Sequence, residues 1–439
     1  SGKGIDGETN TGSLSITTIA GKTISAGGNA IEASSNTGTT LITNAATLTS
    51  STSNGIDLVN AFGGSTITNS GDITATTAGK FVIAGGNAIE TVTTTAGTLT
   101  GNTNLGSGND SFTASGGALV GSTFMEGGDD TVTLTGTVDV TQAPQFDGGS
   151  GNDTLNIDGI SMRAFTAATD DSSGNDISKG SNLTKWQTIN VKNNGTLKLT
   201  GDVFTAEAEL VDPGTGGGGA RMALAPLAVT ATANPSTLNI DATSTLDLKG
   251  NSPGVFTIFG DVNNSGFMTM QDGAADDVTT IAGNYTGVAG SQFAIDTVLG
   301  DDSSLTDKLV VNGNTSGTTA LAVTNAGGAG AQTVEGIQVV QVDGTSDGTF
   351  SLAAPVQAGS YEYTLQKNGV STPTDGDWYL RSTFVATCAN TPSLCPVDPT
   401  DPVDPVKPTP IYRPGVAAYV TAQSANADAG FLQMSTLHQ

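Results

Sequence analysis

Ala26-Gly27-Gly28-Asn29-Ala30-Ile31-Glu32 recurs as Ala84-Gly85-Gly86-Asn87-Ala88-Ile89-Glu90. Each copy follows a Gly-Lys pair, Gly21-Lys22 and Gly79-Lys80, so the likeness extends over twelve positions at an offset of 58. Repetition at fixed spacing marks stacked supersecondary units. A diverged half-repeat between the copies, Asn54-Gly55-Ile56-Asp57-Leu58, divides the offset into steps of 25 and 33 and predicts two coils of a solenoid.

Outward from the heptapeptide the chain alternates apolar residues with Thr and Ser. Thr40-Leu41-Ile42-Thr43-Asn44 and Ala46-Thr47-Leu48-Thr49 follow the first copy; Ser65-Thr66-Ile67-Thr68-Asn69 and Gly71-Asp72-Ile73-Thr74-Ala75 follow the half-repeat. A period of two is that of a strand with one buried face. Asn and Gly at the joints tolerate positive φ and turn the chain. Strands this short bury a face only when coil stacks on coil. The predicted fold class is all-β: a right-handed, single-stranded parallel β-helix with three short strands per coil.

Composition agrees. Of 439 residues 60 are Gly, 5% are aromatic and 13% charged, which suits a narrow aliphatic core. About twelve coils at ~4.8 Å would make a rod on the order of 60 Å long. The 41 acidic against 15 basic residues give a net charge of −26, which makes nucleic acid and anionic membranes poor partners. Solubility is the plainer reading of that charge. No run of 18 apolar residues is present to span a bilayer as a helix. Ser1-Gly2-Lys3-Gly4 lacks the features of a signal peptide, so a mature or truncated chain is expected. Cys388 and Cys395 stand close enough to form a disulfide worth about 2.5 kcal/mol, consistent with an exported, oxidising location; two free thiols are the alternative.

From 101 to 158 the corners become acidic and glycine-rich: Gly106-Ser107-Gly108-Asn109-Asp110, Glu126-Gly127-Gly128-Asp129-Asp130 and Asp147-Gly148-Gly149-Ser150-Gly151-Asn152-Asp153. Asp110, Asp130 and Asp153 fall one per coil and are expected to stack at one corner. These corners resemble the Gly-Gly-x-Gly-x-Asp calcium repeat of secreted toxins, with spacings of 20 and 23 in place of nine. The three aspartates are therefore candidate calcium ligands, with turn formation as the alternative; no other cofactor is expected. Two excursions interrupt the pattern. Residues 160–182 read as a polar, irregular loop carrying Asp170, Asp171 and Asp176, and residues 212–227 as a Gly-rich loop carrying Arg221, Met222 and Leu224. Both are candidate contact loops. Trp186 is expected at a coil edge.

Beyond residue 280 aromatics gather, as suits a cap. The succession Gly283-Asn284-Tyr285, Ser291-x-Phe293-x-Ile295-Asp296, Asp307-Lys308-Leu309-Val310-Val311, Gly336-Ile337-x-Val339-Val340-Gln341-Val342, Gly359-x-Tyr361-x-Tyr363-x-Leu365 and Trp378-Tyr379-Leu380-Arg381-Ser382 resembles the end of a bacterial autotransporter passenger of the pertactin-like, type V secretion group. The coils upstream are similar to that group's adhesin-type passengers. The resemblance implies a β-helix over 1–280, an autochaperone cap over 281–385, a Pro-rich linker with the cysteine pair over 386–411, and a helical segment over 412–439 leading to a translocator β-barrel. It also implies export through the periplasm to the outer membrane and cell surface, with release from the cell left open.

The chain holds one histidine, His438, and no Gly-x-Ser-x-Gly elbow, zinc set or nucleotide loop. No catalytic residues are assigned. The expected function is a non-enzymatic adhesin. Its partners would be a host cell-surface or extracellular-matrix receptor or the same protein on a neighbouring cell, besides its own barrel. A polysaccharide-degrading β-helix enzyme and a structural stalk for an upstream domain are the alternatives.

Overall fold

The computed structural model describes residues 2–170, 176–201, 203–204, 236–250, 253–384 and 409–416. Over most of that length the backbone winds as a parallel β-helix, each turn laying one strand on each of three faces. The second face shows why the alternating sequence does this. Ile16, Ile42, Ile67, Val92, Phe112, Val132, Leu155, Ile189, Leu238, Val262 and Tyr285 lie in direct register on successive strands. All are buried. Each such side chain contributes about 1.5–3 kcal/mol by leaving water, and only its neighbours in the column make that burial available. On the third face the column runs Ile24, Leu48, Ile73, Leu99 and Leu119, with Met162, Leu197, Leu246, Met268, Phe293 and Leu321 stacked further along the chain.

The heptapeptide marks the solenoid but misplaces its second step. Ile31 stacks on Ile56, the 25-residue step expected, and Ile56 stacks on Ile83 rather than Ile89. The reason is local. Phe81-Val82-Ile83 supplies a longer apolar run for the first face, which draws the chain six residues back. The second copy then straddles the corner, with Ile89 58% exposed and Glu90 opening the strand Glu90–Thr94 on the second face.

The acidic corners need glycine. Gly108, Gly128 and Gly151 stack with φ of +148, +138 and +143°, and a Cβ on Gly128 would collide with the carbonyl oxygen of Gly108. Residues 160–182 are not the irregular loop expected. Ser161–Ala164 is a third-face strand, and Thr166–Asp170 pairs antiparallel with Asp176–Ser181 as a ribbon. Buried Asn182 fastens its base, accepting from the Phe165 N–H at 2.9 Å and donating to the Arg163 carbonyl at 2.9 Å. A Thr/Ala-rich strand and a return strand suffice for a hairpin once the base is clamped.

Trp186 is fully buried in the core rather than at a coil edge, its Nε1–H donating to the Phe146 carbonyl at 3.0 Å. Trp186→Ala will lower stability by about 3–5 kcal/mol, read as a fall in the denaturation midpoint, because cavity and orphaned carbonyl costs combine.

In the C-terminal part Thr315–Asn325 runs from the second face, beside Tyr285–Gly287, to the third, beside Gln292–Thr297. Parallel stacking ends at Thr349–Leu352. Antiparallel strands Val356–Ala358, Tyr361–Lys367 and Trp378–Arg381 then close over Ile337–Val342, covering edges that would otherwise recruit other chains. Tyr285 stacks on Phe350 with ring centroids 6.0 Å apart, and Phe350 meets Trp378 edge to face at 5.5 Å. Buried Arg381 is held by carbonyls, donating from Nε to Glu335 at 2.6 Å. Thr409–Pro410 pairs with Thr383–Phe384, and Tyr412 packs on Tyr361, before one helical turn at 414–416. Cys388, Cys395 and residues 417–439 lie outside the described residues.

Candidate functional site: buried carboxylate corners and an outward hydroxyl ladder

Asp110, Asp130 and Asp153 do meet in one column. The Asp110 N–H donates to Asp130 Oδ1 at 2.6 Å and the Asp130 N–H to Asp153 Oδ1 at 2.9 Å, so each aspartate caps the coil before it. Glu90 stands at the foot, its N–H donating to Asp110 Oδ1 at 2.7 Å, and the Gln187 side chain at the head accepts from the Asp153 N–H at 2.6 Å. All four acids are at most 2% exposed. Both carboxylate oxygens of Glu90, and Oδ2 of Asp110 and of Asp130, have no hydrogen-bond partner.

Burial raises three of these carboxyls. It pushes Glu90 up to about 8, Asp130 to about 7 and Asp110 to about 6, with the neighbouring Asp110 charge adding to the rise of Glu90. A hard cation takes six to eight oxygens. Here the Oδ1 atoms already accept amide protons, and among the described residues no three His, Cys, Asp or Glu side chains are grouped to hold a metal ion. In this structure the Oδ1 atoms of the column cap amides of the neighbouring coils.

Sequence reading missed Glu90, although strand parity could have found it: with Val92 inward and Thr91 outward, Glu90 must point inward beside Ser65 and Thr40. A second set, Asp277, Asp307 and Asp377, was also missed. Its signal is an aspartate placed directly before an apolar strand, at Val278–Ile281, Lys308–Val311 and Trp378–Arg381.

The alternate positions of the second face form a two-row ladder, outward except at Asn156, which is 8% exposed. Ser15, Leu41, Thr66, Thr91, Ser111, Thr131, Thr154, Thr188 and Thr237 align in one row; Thr17, Thr43, Thr68, Thr93, Thr113, Thr133, Asn156, Asn190 and Asn239 align in the other. Rungs repeat every ~4.8 Å. Asn190 Nδ2 donates to Asn156 Oδ1 at 3.0 Å, and Asn239 continues the chain to Asn190 at 2.9 Å. Neither row carries a charge over this span, in a chain of net charge −26. Of the candidate contact residues, Asp170 and Asp176 lie at the ends of the antiparallel ribbon. Asp171, Arg221, Met222 and Leu224 fall outside the described residues.

A β-helix closed in this way is matched by family: residues 259–365 fit the family described as Autochaperone Domain Type 1. The fold and this match make the chain similar to an autotransporter passenger domain. Over 165 residues, 36% of this chain, it is 48% identical to the Adhesin BmaC autotransporter of Brucella suis biovar 1 (strain 1330), covering 4% of that protein. Over 104 residues, 24% of this chain, it is 48% identical to Autotransporter adhesin AIDA-I of Escherichia coli, covering 8% of it. Over 127 residues, 27% of this chain, it is 41% identical to Probable autotransporter YfaL of Escherichia coli (strain K12), covering 10% of it. The chain thus spans a tenth or less of the length of these relatives. The family match begins at residue 259, before the aromatic-rich text that starts at 281, within a column that continues unbroken from Leu238 through Val262 to Tyr285.

Proposed function

We propose that this passenger region acts at the bacterial cell surface as a non-enzymatic adhesin, presented there by a β-barrel of the same protein. The observation that carries the reading is the uncharged ladder of hydroxyls and carboxamides, which offers a long, regular surface where an acidic rod can approach a partner without repulsion. Two relatives are named as adhesins, which supports it. The partner is a host receptor or matrix protein, or the same ladder on a neighbouring cell.

Thr66→Lys with Thr131→Lys places two cations on the ladder without touching the core, since both side chains face outward. Bacteria displaying the variant will attach to host cells, matrix or one another about tenfold less than those displaying the native chain. Attachment counts that do not change, with the β-helix intact by circular dichroism, would remove the ladder as the adhesive surface. Release of reducing sugar from a glycan panel would replace adhesion with enzymatic activity.

A further inference from the structure

Within the autochaperone region, Asp277 and Asp307 occupy one corner of successive coils. The Gly254 N–H donates to Asp277 Oδ1 at 2.6 Å, the Asp277 N–H to Asp307 Oδ1 at 3.1 Å, and the Asp296 N–H to Asp307 Oδ2 at 2.7 Å. Both side chains belong to fully buried residues. Three of their four oxygens have an amide donor; Asp277 Oδ2 has none. Among the described residues, the charged groups that act on the corner are negative: Asp272 and Asp276 from the loop before Asp277, and Asp296 from the strand Gln292–Thr297. Lys308, next to Asp307, is engaged elsewhere, donating to Gln338 at 2.8 Å. A buried carboxylate with an orphan oxygen and only like charges around it is costly to ionise.

We propose that the folded cap holds a proton at the Asp277–Asp307 corner, with Asp277 Oδ2 as its seat, making the corner a clasp that tightens in acid and slackens as the medium turns alkaline. This goes beyond the adhesive role and does not depend on it. Burial holds Asp277 up to about 6 and Asp307 to about 7, against 3.8 for an exposed aspartate. Folded values above the unfolded value mean stability that is fully present below pH ~4 and is lost as pH rises through 6 and 7.

Amide hydrogen exchange of the whole chain, corrected for the intrinsic pH dependence of exchange, reads the clasp directly. Protection of Val278–Ile281 and Lys308–Val311 will fall about tenfold or more between pH 5 and pH 8, while Thr196–Leu199, remote from the corner, changes less. Asp277→Asn keeps Oδ1 and puts a neutral amide where the proton sits, so its protection will fall less steeply than the native chain's across that range, with Asp307 alone still titrating. Should that variant not fold, urea midpoints of the native chain at pH 5 and pH 8 read the same loss of stability. A native chain with flat protection, or a variant that keeps the native slope, overturns the proposal. So does calcium that restores protection at pH 8 in the native chain but not in Asp277→Asn, because the corner would then be a cation site.

Discussion

At pH 7 the Glu90→Gln variant will be more stable than the native chain by about 3 kcal/mol, and at pH 4 the two will be nearly equal. Glu90 sits in the column below Asp110, completely buried, with neither carboxylate oxygen partnered. Burial first, and the Asp110 charge second, raise it from 4.5 to about 8. Because the folded value lies above the unfolded one, the native chain has its full stability below pH ~4.5 and loses it progressively as pH rises through 8. At pH 7 the unfolded chain has released this proton while the folded chain retains it, so folding must take it up again at a cost of about 1.4 kcal/mol per pH unit above 4.5. Glutamine matches the shape of the protonated acid and has no such cost at any pH. Urea midpoints at pH 4, 7 and 9 check this, with the widest gap at pH 9. A variant less stable than the native chain at pH 7 would mean that Glu90 is ionised and stabilised by an interaction of its charged form.

How much of this was legible follows from what sets each feature. Columns such as Ile16-Ile42-Ile67-Val92 are written in the period-two alternation, because only one face of each short strand leaves water, and the stacking of Asp110, Asp130 and Asp153 was legible from their fall of one per coil at the corners. Register between coils was less legible. Identity between the two heptapeptides suggested equivalence, but burial decides, and Phe81-Val82-Ile83 competed successfully for the first face. The ribbon at Thr166–Asp170 was hidden because its pairing depends on the Asn182 clamp, a contact 17 residues away from Phe165. What the acidic corner does was also hidden. An aspartate that ligates, one that turns the chain and one that caps the amide of the coil before it look alike until the coils are stacked.

Gly128→Ala will cost about 4 kcal/mol or more, whereas Gly127→Ala, one residue away, will cost about 1 or less. At Gly128 the backbone has φ of +138°, a region that L side chains rarely enter and where strain alone is worth about 1–3 kcal/mol. An added methyl also meets the Gly108 carbonyl oxygen, which is backbone and cannot rotate aside. Relief would require the two coils to part. They are joined by the Gly127 N–H to the Gly106 carbonyl at 3.1 Å, the Thr131 N–H to the Asp110 carbonyl at 2.9 Å and the Asp110 N–H to Asp130 Oδ1 at 2.6 Å. Parting them would also expose Phe112 and Val132, which are stacked in the core. At Gly127 the methyl meets only the Ser150 Oγ at 3.3 Å, the end of a side chain that can turn away. Denaturation midpoints of the two variants compare a steric demand with its nearest control. Equal midpoints would show that the corner yields, and that close stacking of Gly108, Gly128 and Gly151 is not what fixes the spacing of the acidic coils.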